Sequence, residues 1–144
     1  MRNAVLGALA LLVLSACAPM GQPSNPPPSN TTPIVDASPL AGPVWVAMEI
    51  ATRPVLVEAT LNVAADGRVS GTSGCNNFAG LSMVAGDSIA FDQLVSTRMA
   101  CPDAQMEQET RYYQALAAAS RYRLDGDTLR LQDDSGTTLV LYRR

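Results

Sequence analysis

The 144-residue chain has no histidine and no lysine, so all ten of its basic residues are arginine. The missing lysine reflects codon usage rather than chemistry. The missing histidine excludes more, because imidazole is the commonest general base and metal ligand near neutral pH. Charge is sparse, at 16% of residues with a net of −3, and gives no reason to expect nucleic acid as a partner. Aromatic residues make up only 5%, which argues against a large platform for apolar ligands. There is no Cys-x-x-Cys redox pair, no Gly-x-Ser-x-Gly nucleophile turn and no internal repeat. No cofactor is expected, no enzyme activity is expected, and the length suits one domain, expected to be monomeric, after its leading segments.

Those leading segments are distinct. Met1-Arg2-Asn3 is short and positive, and residues 4–14 are an unbroken run of apolar and small side chains. Eleven residues are too few to span a bilayer but suit the core of a signal peptide. Leu14-Ser15-Ala16-Cys17 follows, and it resembles the lipobox of bacterial lipoproteins. That resemblance implies cleavage before Cys17, a thioether from its sulfur to a lipid, and acylation (palmitate) of the freed amine. The alternative is a free cysteine at a plain secretory site. Two acyl anchors already give stable attachment, so a lipidated Cys17 makes the membrane a partner. Ala18, where lipoproteins retained at the inner membrane tend to carry Asp, implies the periplasmic face of the outer membrane.

Residues 17–43 read as the lipidated cysteine and a disordered tether. Eight of the ten prolines fall there, and Asp36 is the sole charge. Such a stretch buries too little apolar surface to fold, and Pro-rich chain extends by about 3.1 Å per residue. Pro-rich docking is disfavoured by the lack of flanking aromatic or basic residues.

Residues 44–144 read mostly as short strands: 45–50, 57–63, 68–72, 81–84, 88–91, 93–97, 122–124, 128–132 and 137–142. In 57–63 the apolar Val57, Ala59, Leu61 and Val63 alternate with Glu58, Thr60 and Asn62. Asp66-Gly67, Gly86-Asp87, Asp125-Gly126 and Ser135-Gly136 mark hairpin turns. One helix is expected over 104–119, with Asp103 as its N-cap and Met106, Thr110, Tyr113, Leu116 and Ala117 as its inward face. The fold class is α+β, a small curled antiparallel sheet or cracked β-barrel with one packed helix.

With Cys17 committed to lipid, Cys75 and Cys101 remain, an even number in an oxidising compartment. A structural disulfide between "GTSGCNNFAG" and "STRMACPD" is expected, tying a tight bend to the helix entry. Two free buried thiols are the alternative. Two cysteines without histidine do not fill a zinc shell. The aspartates at 125, 127, 133 and 134 lack the spacing of a calcium loop and read as turns. Met83, Met99 and Met106 read as fillers of core gaps rather than a groove lining. Arg143 and Arg144 read as solvated charges, and Asn76 as a side chain tying up backbone groups in the bend.

"GCNNFAG", followed some twenty residues on by "TRMAC", a helix and a meander ending "DTLRLQDDSGTTLVLY", resembles the META domain family of HslJ-like proteins. The matching positions are Gly74, Cys75, Asn76, Phe78 and Gly80, then Thr97, Met99 and Cys101. The resemblance implies a curled sheet or cracked barrel with a packed helix, loose links to stress response, and no catalytic set.

Three functions are weighed. The first is an envelope interaction module that binds another envelope protein, the second a lipid- or small-molecule-binding barrel, the third a hydrolase, disfavoured by the missing histidine. For the first, Asn76, Asn77, Phe78, Arg98 and Met99, on loops or strand ends, form the candidate binding surface, because recognition sits on loops held by a rigid scaffold, with a core position as the alternative for Phe78.

Overall fold

A computed structural model describes residues 38–144. The expected signal peptide, the expected lipobox with Cys17, and most of the expected tether lie outside the described residues. Ser38 to Ala41 form a turn, closed by the Ala41 N–H donating to the Ser38 carbonyl at 2.8 Å. Leu40 is fully buried, and the Trp45 indole N–H donates to its carbonyl at 2.9 Å. The folded domain therefore begins before residue 44, where composition placed its start. A single leucine anchored in the core overrides the polar character of its neighbours.

The strands are β1 (Val44–Ile50), β2 (Arg53–Pro54), β3 (Thr60–Val63), β4 (Arg68–Thr72), β5 (Asn77–Ala85) and β6 (Ser88–Ser96). After the helix α1 (Asp103–Ala118) come β7 (Arg121–Asp125), β8 (Thr128–Asp133) and β9 (Gly136–Arg143). All pairings are antiparallel, in the order β2-β1-β3-β4-β5-β6-β7-β8-β9, and β1 also pairs with β9. Every strand but β2 thus belongs to a closed ring, consistent with the α+β expectation.

Alternation sets the inner face. Leu129, Leu131, Leu139 and Leu141 from β8 and β9 are fully buried, as is Leu61 from β3. In β1 a register shift between Ala47 and Glu49 inserts one extra residue. That bulge changes the parity, so Trp45, Ala47 and Ile50 all point inward while Met48 is expelled. β6 is one strand where two short ones were expected. The break in pattern is a bulge, with Gln93 in the left-handed region at φ 53° and its N–H donating to Asp92 Oδ1 at 2.7 Å. The bend expected over 71–80 is confined to Ser73–Asn76, because Asn77 already begins β5.

The ring is weakest between β6 and β7, which pair only at Ser88↔Arg121. β7 runs past the β5–β6 turn, and Ile89 N–H instead meets the Ser120 carbonyl just after α1, at 3.1 Å. The helix packs against β6, β9, β1 and β8 and covers this crack.

Of the expected inward set of Met106, Thr110, Tyr113, Leu116 and Ala117, Leu116 is buried and Tyr113 packs partly against the core, and the rest of the inward face is Gln108, Tyr112 and Ala115. The helix is alanine-rich, so apolar periodicity defines its face poorly, and a buried glutamine is invisible to such a count. Asp103 is also not the N-cap. Pro102 holds that position, and its carbonyl accepts from Gln105 and Met106 N–H. Tyr112 donates its hydroxyl to the Thr60 carbonyl at 3.0 Å. Burial, with Tyr113 beside it, pushes its phenol far above the ordinary range, so it stays a donor.

Candidate functional site

The bend between β4 and β5 is built on Gly74, whose φ of +99° disfavours any side chain. A Cβ there would also lie 2.5 Å from Gln108 Nε2. Gln108 is fully buried and fully used. Its Oε1 accepts from Leu56 N–H at 2.7 Å and Val57 N–H at 3.2 Å, and its Nε2 donates to the carbonyls of Val57 (2.7 Å) and Ser73 (3.1 Å). One side chain of α1 thereby fixes both the approach to β3 and the bend.

Cys75 and Cys101 form a disulfide with their Cα atoms 6.0 Å apart. It ties the bend to the residue just before Pro102 and α1, as the cysteine count anticipated. Beside it, Asn76 is buried and uses its whole amide. Oδ1 accepts from the Thr97 hydroxyl and the Met99 N–H, both at 2.8 Å. Nδ2 donates to the Met99 carbonyl at 3.3 Å and to Glu109 Oε1 at 3.0 Å. The Thr97 hydroxyl in turn accepts from Asn77 N–H at 3.2 Å. Asn76 thus joins the two sequence motifs, and its role reaches beyond the bend itself.

Glu109 is the residue that sequence reasoning missed. Its Oε2 accepts from Asn76 N–H at 3.1 Å and lies in close hydrogen-bond contact with the Ser73 hydroxyl. A signal was available. If Cys101 joins Cys75, the first turns of the helix lie near the bend, and Gln108 and Glu109 are among their polar side chains.

The candidate binding residues separate into two groups. Phe78 is 4% exposed and packs on Tyr112 and Tyr113, with ring centroids 5.7 and 5.9 Å away. It is a core residue, because the inward parity of β5 claims it, and it offers no contact surface. Asn76 is likewise enclosed. Asn77, Arg98 and Met99 remain on the surface. The reading of three methionines as core fillers is overturned. Met83 has the outward parity of β5, Met99 is on the loop before Cys101, and Met106 lies over the disulfide, with Sδ 3.7 Å from Cys75 Sγ. Met99 is 55% exposed and Val95, outward on β6, 67%. Two shallow concavities adjoin this rim, of about 300 Å³ beside Met99 and Met106 and about 350 Å³ beside Val95 and Asn77.

These features define a small ring-sheet domain with one covering helix and a disulfide-braced motif at one corner. The chain belongs to the META domain family, whose sequence profile matches residues 38–144. An NMR structure of a protein from Burkholderia xenovorans is similar over 90% of this chain and 99% of its own, with 26% identity and a TM-score of 0.62. A second NMR structure covers 72% of this chain and 90% of its own at 21% identity, with a TM-score of 0.59, and supports the fold alone. No curated protein is a significant match.

Proposed function

We propose that this META domain is a non-enzymatic interaction module, held by a lipid on Cys17 at the periplasmic face of the outer membrane. Its contact surface is the exposed rim of the braced motif: Asn77, Arg98 and Met99, extended by Val95 and Met106. The observation that carries this reading is the contrast at that corner. A disulfide and the fully satisfied Asn76–Glu109 network make a rigid base. Beside it stand side chains that remain largely exposed, Val95 and Met99 above all. A fixed scaffold presenting apolar and cationic groups lowers the ordering cost of binding a protein partner.

Two competing readings have less support. Ser73 has a carboxylate, Glu109, at its hydroxyl but is fully buried, so a substrate has no approach to it, and the Asp133 oxygen at the Ser135 hydroxyl is already taken up by the Ser135 and Gly136 N–H groups of a hairpin turn. The space a ligand would need inside the ring is occupied by Trp45, Leu61, Tyr112, Leu116 and Leu129.

Site-specific photocrosslinking from position 99 in the lipidated protein tests the surface, with crosslinking from Met83 as the comparison. A partner captured from 99 and not from 83 supports it. Capture no greater than with an unrelated anchored domain defeats it. Mass spectrometry of the mature chain tests the anchor separately, and a chain starting elsewhere than an acylated Cys17 ends that part.

A further inference from the structure

Away from the motif corner, α1 faces the β1–β2 turn and the β8–β9 hairpin across a pocket of about 440 Å³. Its lining includes Thr52, Arg111, Ala115, Ala118 and Thr137. The volume falls in the usual range for ligand sites, about 300–1,000 Å³.

Arg111 is the chemically unusual member. Its Nη1 meets Glu107 Oε1 at 2.8 Å, and that same oxygen is shared with Arg53 Nη1 at 3.0 Å. One carboxylate thus serves two guanidinium groups, and the Arg111 side chain keeps only 15% of its exposure. Nε is buried without an acceptor, and Nη2 has none among the described residues either. The Nε–Nη2 edge is the side of the guanidinium that takes a carboxylate in two parallel hydrogen bonds. The edge best suited to a carboxylate is therefore the one left empty.

The opposite wall is strained. Ile50 pairs with Arg53, so Ala51 and Thr52 form a two-residue turn, and both are left-handed, at φ 47° and 63°. Such turns favour Asn-Gly, and a β-branched threonine there is costly. The turn is nonetheless held against β9, with Ala51 N–H donating to the Thr138 carbonyl at 2.8 Å. Strain maintained by surrounding contacts is characteristic of ligand-binding walls. Asp133, on the far rim, does not compete for Arg111. Its Oδ1 takes Ser135 N–H, Ser135 hydroxyl and Gly136 N–H, and it is not within ion-pair distance of the guanidinium.

We propose that this pocket binds a small carboxylate ligand with a compact apolar body. Arg111 is the anchor, offering its Nε–Nη2 edge once the side chain turns that edge toward the pocket. The small side chains of Ala115 and Ala118 leave room on the helix for the apolar body, and Thr52 and Thr137 line the facing wall. This site is independent of the protein-binding rim proposed above.

The test is amide-resolved NMR of the full chain titrated with benzoate and, separately, with benzamide as the neutral isostere. Benzoate should give saturable shifts at Thr52, Ala115 and Thr137 and bind at least about tenfold more tightly than benzamide. Arg111→Lys keeps the charge but loses the fork, and should remove most of that preference. Ala118→Leu lies on the exposed side of the helix. It should block binding while leaving the melting temperature unchanged, which keeps the test decisive if position 111 proves intolerant. Equal shifts from the two probes, shifts that map elsewhere or do not saturate, or undiminished benzoate binding in Ala118→Leu would overturn the proposal.

Discussion

Replacing Asn76 by alanine removes four hydrogen bonds at once, to Thr97, to both backbone groups of Met99 and to Glu109. Each is worth about 1 kcal/mol net, and a buried group left without its partner costs about 1–3 kcal/mol. The Met99 backbone lies on an exposed loop and recovers part of its loss from water. The enclosed Glu109 oxygen recovers less. The sum is about 4 kcal/mol, a large share of the roughly 5–15 kcal/mol that stabilises a domain. Urea denaturation of the oxidised protein should therefore show a much lower midpoint with an unchanged slope. Asn76→Asp separates geometry from donor chemistry. It keeps the two accepted bonds but loses both donated ones, and it places a negative charge where Nδ2 stood, 3.0 Å from Glu109 Oε1. At neutral pH it should be at least as destabilising as alanine. If Asn76→Ala loses less than about 1 kcal/mol, the network is decoration on a bend that the disulfide alone secures, and the account of this corner is wrong.

Gly74→Ala meets both a left-handed φ and Gln108 Nε2, and should lose about 2 kcal/mol or more in the same assay, whereas Gly126→Ala, with open space around its Cβ position, should lose less. Cys75→Ser opens a loop of 26 residues and should lose about 3 kcal/mol under oxidising conditions, with little difference from wild type once both are reduced. Asp133 accepts first from the Ser135 hydroxyl and then from the Ser135 and Gly136 N–H groups, which hold its carboxyl below the ordinary range. A depressed native pKa gives stability that is present above the unfolded value and lost as pH falls through the native one. Asp133→Asn should therefore be less stable than wild type at neutral pH and converge with it in acid, as followed by thermal melts across pH; a constant difference would refute this.

Much of this protein was legible in its residues. Strand alternation in Leu129, Leu131, Leu139 and Leu141 and the Asp-Gly turns depend only on neighbours in the chain, so local chemistry suffices to read them. An even pair of cysteines likewise predicted the bond that the fold contains. The errors lie where parity or partnership is set at a distance. The bulge at Met48 exists because β1 must match the register of β9, far away in sequence, and the left-handed Gln93 because β6 must match β5 along the whole of their hairpin. Phe78 read either as a contact or as core, and only the start of β5 at Asn77 decides for the core. The inward face of α1 is chosen by what the helix must satisfy, the Leu56 and Val57 N–H groups and the bend at Ser73, and a glutamine meets that demand better than any apolar residue. Glu109 and Arg111 are ordinary helix surface residues by sequence. The first is drawn into the motif corner by the bend at Ser73–Asn76, and the second into a pocket facing the β1–β2 turn and the β8–β9 hairpin, partners that only the tertiary structure brings to the helix.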